Sequence, residues 1–240
     1  MSADFPQASR TCIKICGITR EEDLDAAVAA GVDAVGFNRY PKSPRYVSID
    51  RAAELARRLP DSVVPVLLFV NAPPALVASD ADRLPQAILQ FHGDESPQQC
   101  REAALPGARS YLRAARIPLG PTAAAFDLVK YAHLYRSAQA ILLDAHVDGY
   151  GGGGKTFNWS LLPQSVASRL VLSGGLTPAN VTDGILQVRP RCTALAVDVS
   201  SGVEVSAGIK DAGLIHRFVA AVRAADRLLA SSNHVPLSAA

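Results

Sequence analysis

The sequence predicts an α/β protein built as a single (β/α)8 (TIM) barrel. Short apolar runs alternate with helical patterns along the chain, and counting them gives eight strand-then-helix units. No linker or break in composition divides the 240 residues, a length that suits one such barrel. Polar residues able to do chemistry recur where the apolar runs end, and a closed barrel gathers all those ends on one face. An open doubly wound sheet would instead bind its ligand at a single switch point.

The first strand ends in Lys14-Ile15-Cys16, and Gly17 breaks it. Thr19 followed by Glu22 reads as a capping box for a helix over Arg20–Ala30, with Gly31 as its C-terminal cap. Asp33–Phe37 is the second strand. The loop after it, Asn38–Ser48, holds two prolines and the cations Arg39, Lys42 and Arg45, which suits either an anionic ligand or a solvated surface. Helix signals return over Asp50–Leu59. The continuous apolar run Val63–Val70 fits a strand covered on both faces. The alternation continues with a helix at Pro73–Asp82, a strand at Gln86–Phe91, a helix at Pro97–Ala104 and a strand at Arg109–Ala114. A helix within Pro121–Arg136, a strand at Gln139–Asp144, a glycine-rich loop and a short helix near Ser160–Ala167 follow. Arg169–Ser173 and Ala194–Val199 are the last strands, with helices at Thr177–Val188 and Lys210–Leu229. The ordered core is expected over about residues 11–229, with a flexible N-terminal extension (1–10) and C-terminal tail (230–240).

Half the residues are apolar and the formal charge is +2, too balanced to suggest nucleic acid or an anionic membrane as partner. No run approaches the ~20 apolar residues of a membrane span, and the first ten residues lack a signal-peptide core, so a cytoplasmic location is expected. The four cysteines have neither CxxC spacing nor a histidine at zinc-site spacing. Reduced thiols and no metal follow.

Gly149–Thr156 matches the G-x-x-x-x-G-K-[ST] pattern of a nucleotide-binding P-loop. However, Ala145–Asp148 separate it from its strand, and Phe-Asn-Trp-Ser with Pro163 behind is poor helix material. A lid that orders on substrate fits better. Ser173-Gly174-Gly175 and Ser200-Ser201-Gly202 close strands seven and eight, the pair of loops that usually holds phosphate in such barrels.

Cys16 and Asp144 end strands one and six, on different sides of the barrel mouth with room for a small ligand between. Each alone fits a structural role, a buried thiol or a loop hydrogen bond. Together a base and an acid so placed can move a proton from carbon to a heteroatom. For that, the site must raise the carboxyl by desolvation and lower the thiol with positive charge or dipoles. Lys14 alternates with Cys16, so it points into the barrel and needs a carboxylate partner, for which Asp198 is a candidate. His92 and His146 follow strands within reach of a ligand, but a structural or solvated role is the expectation for each.

With these residues stand six ordered motifs: KICGIT, GFNRYPKSPRYVS, LQFHGDE, LLDAHVDGYGGGGKTFNW, LSGGLTPANV and AVDVSSGVE. From Lys14 to about Phe218 the chain resembles the phosphoribosylanthranilate isomerases of tryptophan biosynthesis. The resemblance implies a barrel that converts N-(5-phosphoribosyl)anthranilate to 1-(o-carboxyphenylamino)-1-deoxyribulose 5-phosphate without cofactor or metal. It implies Asp144 as general acid on the ribose ring oxygen and Cys16 as general base on the C2′ proton. Arg45 would pair with the anthranilate carboxylate, and the Gly174, Gly175, Ser200 and Ser201 backbones would hold the phosphate. Asp198 would contact the substrate or a residue that holds it. The only partner implied is this phosphorylated small molecule, with the enzyme a monomer or homodimer. Asn38-Arg39 stand where such proteins are usually apolar, Arg113 replaces a common lysine, and Ala145-His146 follow the acid where threonine is frequent. The alternatives are another phosphate-binding barrel isomerase of ribonucleotides, expected to carry aspartate in place of Cys16, or a P-loop-like module at 149–156.

Overall fold

Strand β1 (Cys12–Cys16) sets the pattern for the whole molecule in the computed structural model, which describes residues 10–120, 125–145 and 156–232. Ile13 and Ile15 face outward into the main core, whereas Cys12, Lys14 and Cys16 face the barrel axis. Around the axis follow α1 (Glu21–Ala30), β2 (Ala34–Asn38), α2 (Ile49–Ala56), β3 (Val64–Phe69), α3 (Pro74–Arg83), β4 (Ile88–Phe91) and α4 (Pro97–Ala104). The second half holds β5 (Tyr111–Ile117), α5 (Leu128–Leu134), β6 (Ala140–Ala145), β7 (Val166–Leu172), α6 (Val181–Val188) and β8 (Cys192–Val199). A hairpin of β9 (Glu204–Ser206) and β10 (Ile209–Lys210) then leads to α7 (Ala212–Ser232).

The eight strands β1–β8 are parallel and close in sequence order, with Lys14 of β1 level with Asp198 of β8. The axis is filled by small and branched residues, among them Ala34, Val66, Ile88, Leu112, Leu142, Val171 and Ala196. A larger layer, including Phe37, Phe69, Phe91 and Phe218, seals the strands against the helices. Because side chains alternate along each strand, every residue in phase with the axial set and near a strand's C-terminal end must enter the barrel mouth. That rule delivers Cys16, Gln90, Arg116, Asp144 and Asp198 to one end.

The structure corrects several local expectations. The capping box at Thr19 and Glu22 does not form: Thr19 Oγ1 donates to Gly208 O at 2.7 Å, and the cap position falls to Arg20 with no side-chain cap bond. Three carboxylates in the first turn, Glu21, Glu22 and Asp23, supply the compensating charge instead. The short helix near Ser160–Ala167 is only a 3-10 turn at Trp159–Leu161, since Pro163 follows and Val166 already starts β7. Lys210 belongs to the hairpin rather than to the last helix. At the other end α7 runs through residues 230–232, which were expected in the tail.

Candidate active site

The thiol of Cys16 lies at the inner end of β1 with only 6% of the residue exposed, packed against Leu68 and Val70 of the β3 end. Lys14, two residues back on the same face, is fully buried and gives its ammonium to Asp198 Oδ1 at 2.8 Å. The carboxylate partner expected for Lys14 is therefore Asp198. Gly36 makes room for this group, because a Cβ there would stand 2.8 Å from Cys16 Sγ and 3.1 Å from Lys14 Nζ. Burial is the largest influence on the thiol and pushes its pKa up. Lys14 pulls it down, Asp198 pushes it up and Lys210 pulls it down, and the result stays above the ordinary value. The expectation of a lowered cysteine is thus corrected: the positive charge is present, but desolvation outweighs it. For Lys14, burial favours the neutral amine, yet Asp198 and Cys16 together hold the ammonium above its usual range.

Removing that ammonium strands a buried carboxylate. Lys14→Met is expected to cost about 3–5 kcal/mol of stability, read as a fall in the urea midpoint, and Asp198→Asn in the same chain should recover part of it. An unchanged midpoint would mean that the pair adds nothing to the fold.

Sequence reading missed Lys210. Its ammonium reaches back from β10 to donate to Cys16 O at 2.6 Å, Ser200 O at 3.1 Å and Glu204 Oε1 at 2.7 Å. Burial lowers its pKa, against the pull of Glu204. Glu204 also accepts from Arg45 Nε at 2.8 Å and Nη2 at 2.7 Å. Arg45, Glu204, Lys210, Ser200 and the Cys16 backbone thus form one bonded chain across the mouth. The only sequence signal was a glutamate and a lysine six positions apart with Gly208 between, a hairpin pattern.

Asp144 enters the mouth from β6 and is buried. Its Oδ2 lies 2.9 Å from His92 Nε2, and His92 Nδ1 lies 3.0 Å from Gln90 Nε2. His92, which fitted several roles in the sequence, is thus the direct partner of the candidate acid. Above it Gly174 adopts φ +77°, and a Cβ at that point would stand 2.7 Å from Asp144 Oδ1 and 2.6 Å from Ala145 N. A side chain there would collide with the carboxyl group, so glycine is required twice over. Gly175 also has positive φ. Among the described residues neither Gly174 nor Gly175 donates its N–H to another residue.

Other candidates lie elsewhere. Arg113 is out of phase with the axis: its guanidinium binds Phe91 O, Gly93 O and Glu95 Oε2, each at 3.0 Å, and packs over Tyr135. Ending β5 at Ala114, as the sequence suggested, makes Arg113 the cation nearest the end of that strand. The strand continues to Ile117, and Arg116, level with Asp144, is the inward-facing cation. Arg39 is held by Asp80 at 2.7 Å and by Val47 O, and Asn38 bonds Ser43 Oγ, so both fasten the β2 loop. His146 and residues 149–155 of the glycine-rich loop lie outside the described residues.

The family described as "N-(5'phosphoribosyl)anthranilate (PRA) isomerase" matches residues 13–221. N-(5'-phosphoribosyl)anthranilate isomerase of Leptothrix cholodnii is 59% identical over 91% of this chain and 93% of its own. Among solved structures, phosphoribosyl anthranilate isomerase from Thermotoga maritima aligns with a TM-score of 0.77 and 39% identity, covering 89% of this chain and 99% of its own. A phosphoribosyl anthranilate isomerase in complex with reduced 1-(o-carboxyphenylamino)-1-deoxyribulose 5-phosphate aligns at 0.74 and 36% identity over 89% and 99% of the two chains. From this agreement of sequence and barrel, the chain belongs to the N-(5'-phosphoribosyl)anthranilate isomerase family.

Proposed function

We propose that the protein converts N-(5-phosphoribosyl)anthranilate to 1-(o-carboxyphenylamino)-1-deoxyribulose 5-phosphate, a step of tryptophan biosynthesis. The observation that carries this reading is the convergence, inside one end of the barrel, of a buried thiol beside two ammonium groups and a carboxyl group bonded to a histidine. Asp144 gives a proton to the ribose ring oxygen as the bond from that oxygen to C1′ breaks, leaving an iminium at C1′. The Cys16 thiolate takes the C2′ proton, and its electron pair forms the enolamine. Moving the enol proton to C1′ yields the ketose. One proton has left the carboxyl and one has reached the sulfur, so transfer between them, directly or through solvent, restores the starting state.

The reactive form thus needs a protonated carboxyl and an ionised thiol. On the sulfur side burial and Asp198 disfavour the thiolate, and Lys14 and Lys210 oppose them. The N–H groups of Gly174 and Gly175, unbonded among the described residues, suit the phosphate together with the Ser200-Ser201 turn. Asp198 holds Lys14 through Oδ1, which supports a role in fixing the ammonium beside the thiol, and it remains the proposed substrate contact of β8. The chain is a single barrel domain, to which Arg10 is tied through Asp33, and the enzyme works in the cytoplasm as a monomer or homodimer.

Loss of phosphoribosylanthranilate fluorescence on adding the purified protein tests substrate and reaction together; fluorescence that persists would overturn the proposal. Arg45 is the proposed partner of the anthranilate carboxylate, through the guanidinium edge that Glu204 leaves. Arg45→Ala is expected to raise KM about tenfold or more with little change in kcat, since Lys210 still holds Glu204 in place. An unchanged KM would remove that assignment.

A further inference from the structure

Gln90 is fully buried, points into the mouth from β4, and leaves its Oε1 without a hydrogen-bond partner among the described residues. A leucine would fill the same space with no such penalty. The glutamine's one recorded side-chain bond runs from Nε2 to His92 Nδ1 at 3.0 Å, and His92 Nε2 in turn lies 2.9 Å from Asp144 Oδ2. We propose that Gln90 is a positioning residue for the proton donor. Its carboxamide keeps His92 neutral with the proton on Nε2, so that Nε2–H holds Asp144 Oδ2 and the transferable proton is carried on Oδ1. The inference rests on the reading of Asp144 as general acid.

The reasoning follows the donors and acceptors in order. An amide N–H pointed at Nδ1 requires a lone pair there, which fixes the neutral imidazole with its single proton on Nε2. That proton can only be donated to the carboxyl group beside it. A doubly protonated ring would turn a second N–H toward the amide N–H2, and the amide would have to rotate to offer Oε1. With the amide nitrogen toward Nδ1, the arrangement matches the neutral ring and leaves Oε1 unpaired. The distinction matters chemically, because an imidazolium beside Asp144 would favour the ionised carboxylate, the wrong form for an acid. A neutral donor occupies one oxygen and leaves the other for the proton. That other oxygen, Oδ1, is the one beside Gly174, where the absence of a side chain opens the space above it.

The ¹⁵N spectrum of the intact protein, with the His92 signals assigned by their loss in His92→Gln, reads the tautomer directly. Near neutral pH the wild-type ring should show an unprotonated Nδ1 and a protonated Nε2. Gln90→Glu, which offers only acceptors, should convert both nitrogens to the protonated form. Gln90→Met, of similar size, should abolish the single-tautomer signature and lower kcat about tenfold or more, with KM nearly unchanged. A wild-type ring protonated on Nδ1, or a Gln90→Met protein with unaltered spectrum and kcat, would overturn the inference. The tautomer is read on the wild-type protein, and His92→Gln serves only to assign its signals. Asp144→Asn separates the two claims: full activity in that variant would remove the acid assignment, whereas the tautomer result stands or falls by itself.

Discussion

Cys16→Ala is expected to lower kcat by about 10³-fold, within the 10²–10⁴ typical of losing a general base, while the affinity for the reduced product analogue changes little. The size of the effect follows from what surrounds the sulfur. Lys14 and Lys210 are committed to Asp198, Glu204 and main-chain oxygens, so neither can take over as a base without abandoning a buried partner. The thiol is small and lies against Leu68 and Val70, so its loss leaves only a modest void. Turnover from the fluorescence decay and affinity from titration separate the two quantities. A variant with more than about a tenth of wild-type kcat would exclude Cys16 as the base.

Asp144→Asn should lower kcat by at least a hundredfold with a comparably small change in analogue binding. The amide has nearly the shape of the carboxyl, and its oxygen can still accept from His92 Nε2. What disappears is the transferable proton. If the ring-opening step needs that proton, a substrate already opened to the iminium or enolamine stage should escape the block, and one still in the furanose form should not. Retained turnover of the closed sugar would show that another group opens the ring.

Much of the candidate site was legible because strand alternation is a strict rule. Once β1, β6 and β8 are recognised, the inward direction of Lys14, Cys16, Asp144 and Asp198 follows from counting by two, and the Lys14–Asp198 pair follows from the cost of burying a lone ammonium. The failures came where that counting was started wrongly or where no period applies. Ending β5 at Ala114 promoted Arg113, which faces the helices, and hid Arg116. Lys210 sits on a two-residue strand with no periodicity of its own, so its meeting with Cys16 O across 194 positions left no trace in the local pattern. His92 was undervalued because its partner lies 52 residues away. The pKa direction of Cys16 depends on how completely solvent is excluded, which composition does not reveal.

The tie between Lys210 and the carbonyl of Cys16 also bears on how the molecule is made. The sulfur lies on β1, yet the ammonium that steadies that strand end is synthesised 194 residues later, after β8, which closes the ring beside it. A nascent or prematurely terminated chain lacking residues beyond about 205 would contain the thiol and the acid and still be inert. Activity thus reports that synthesis has passed β10.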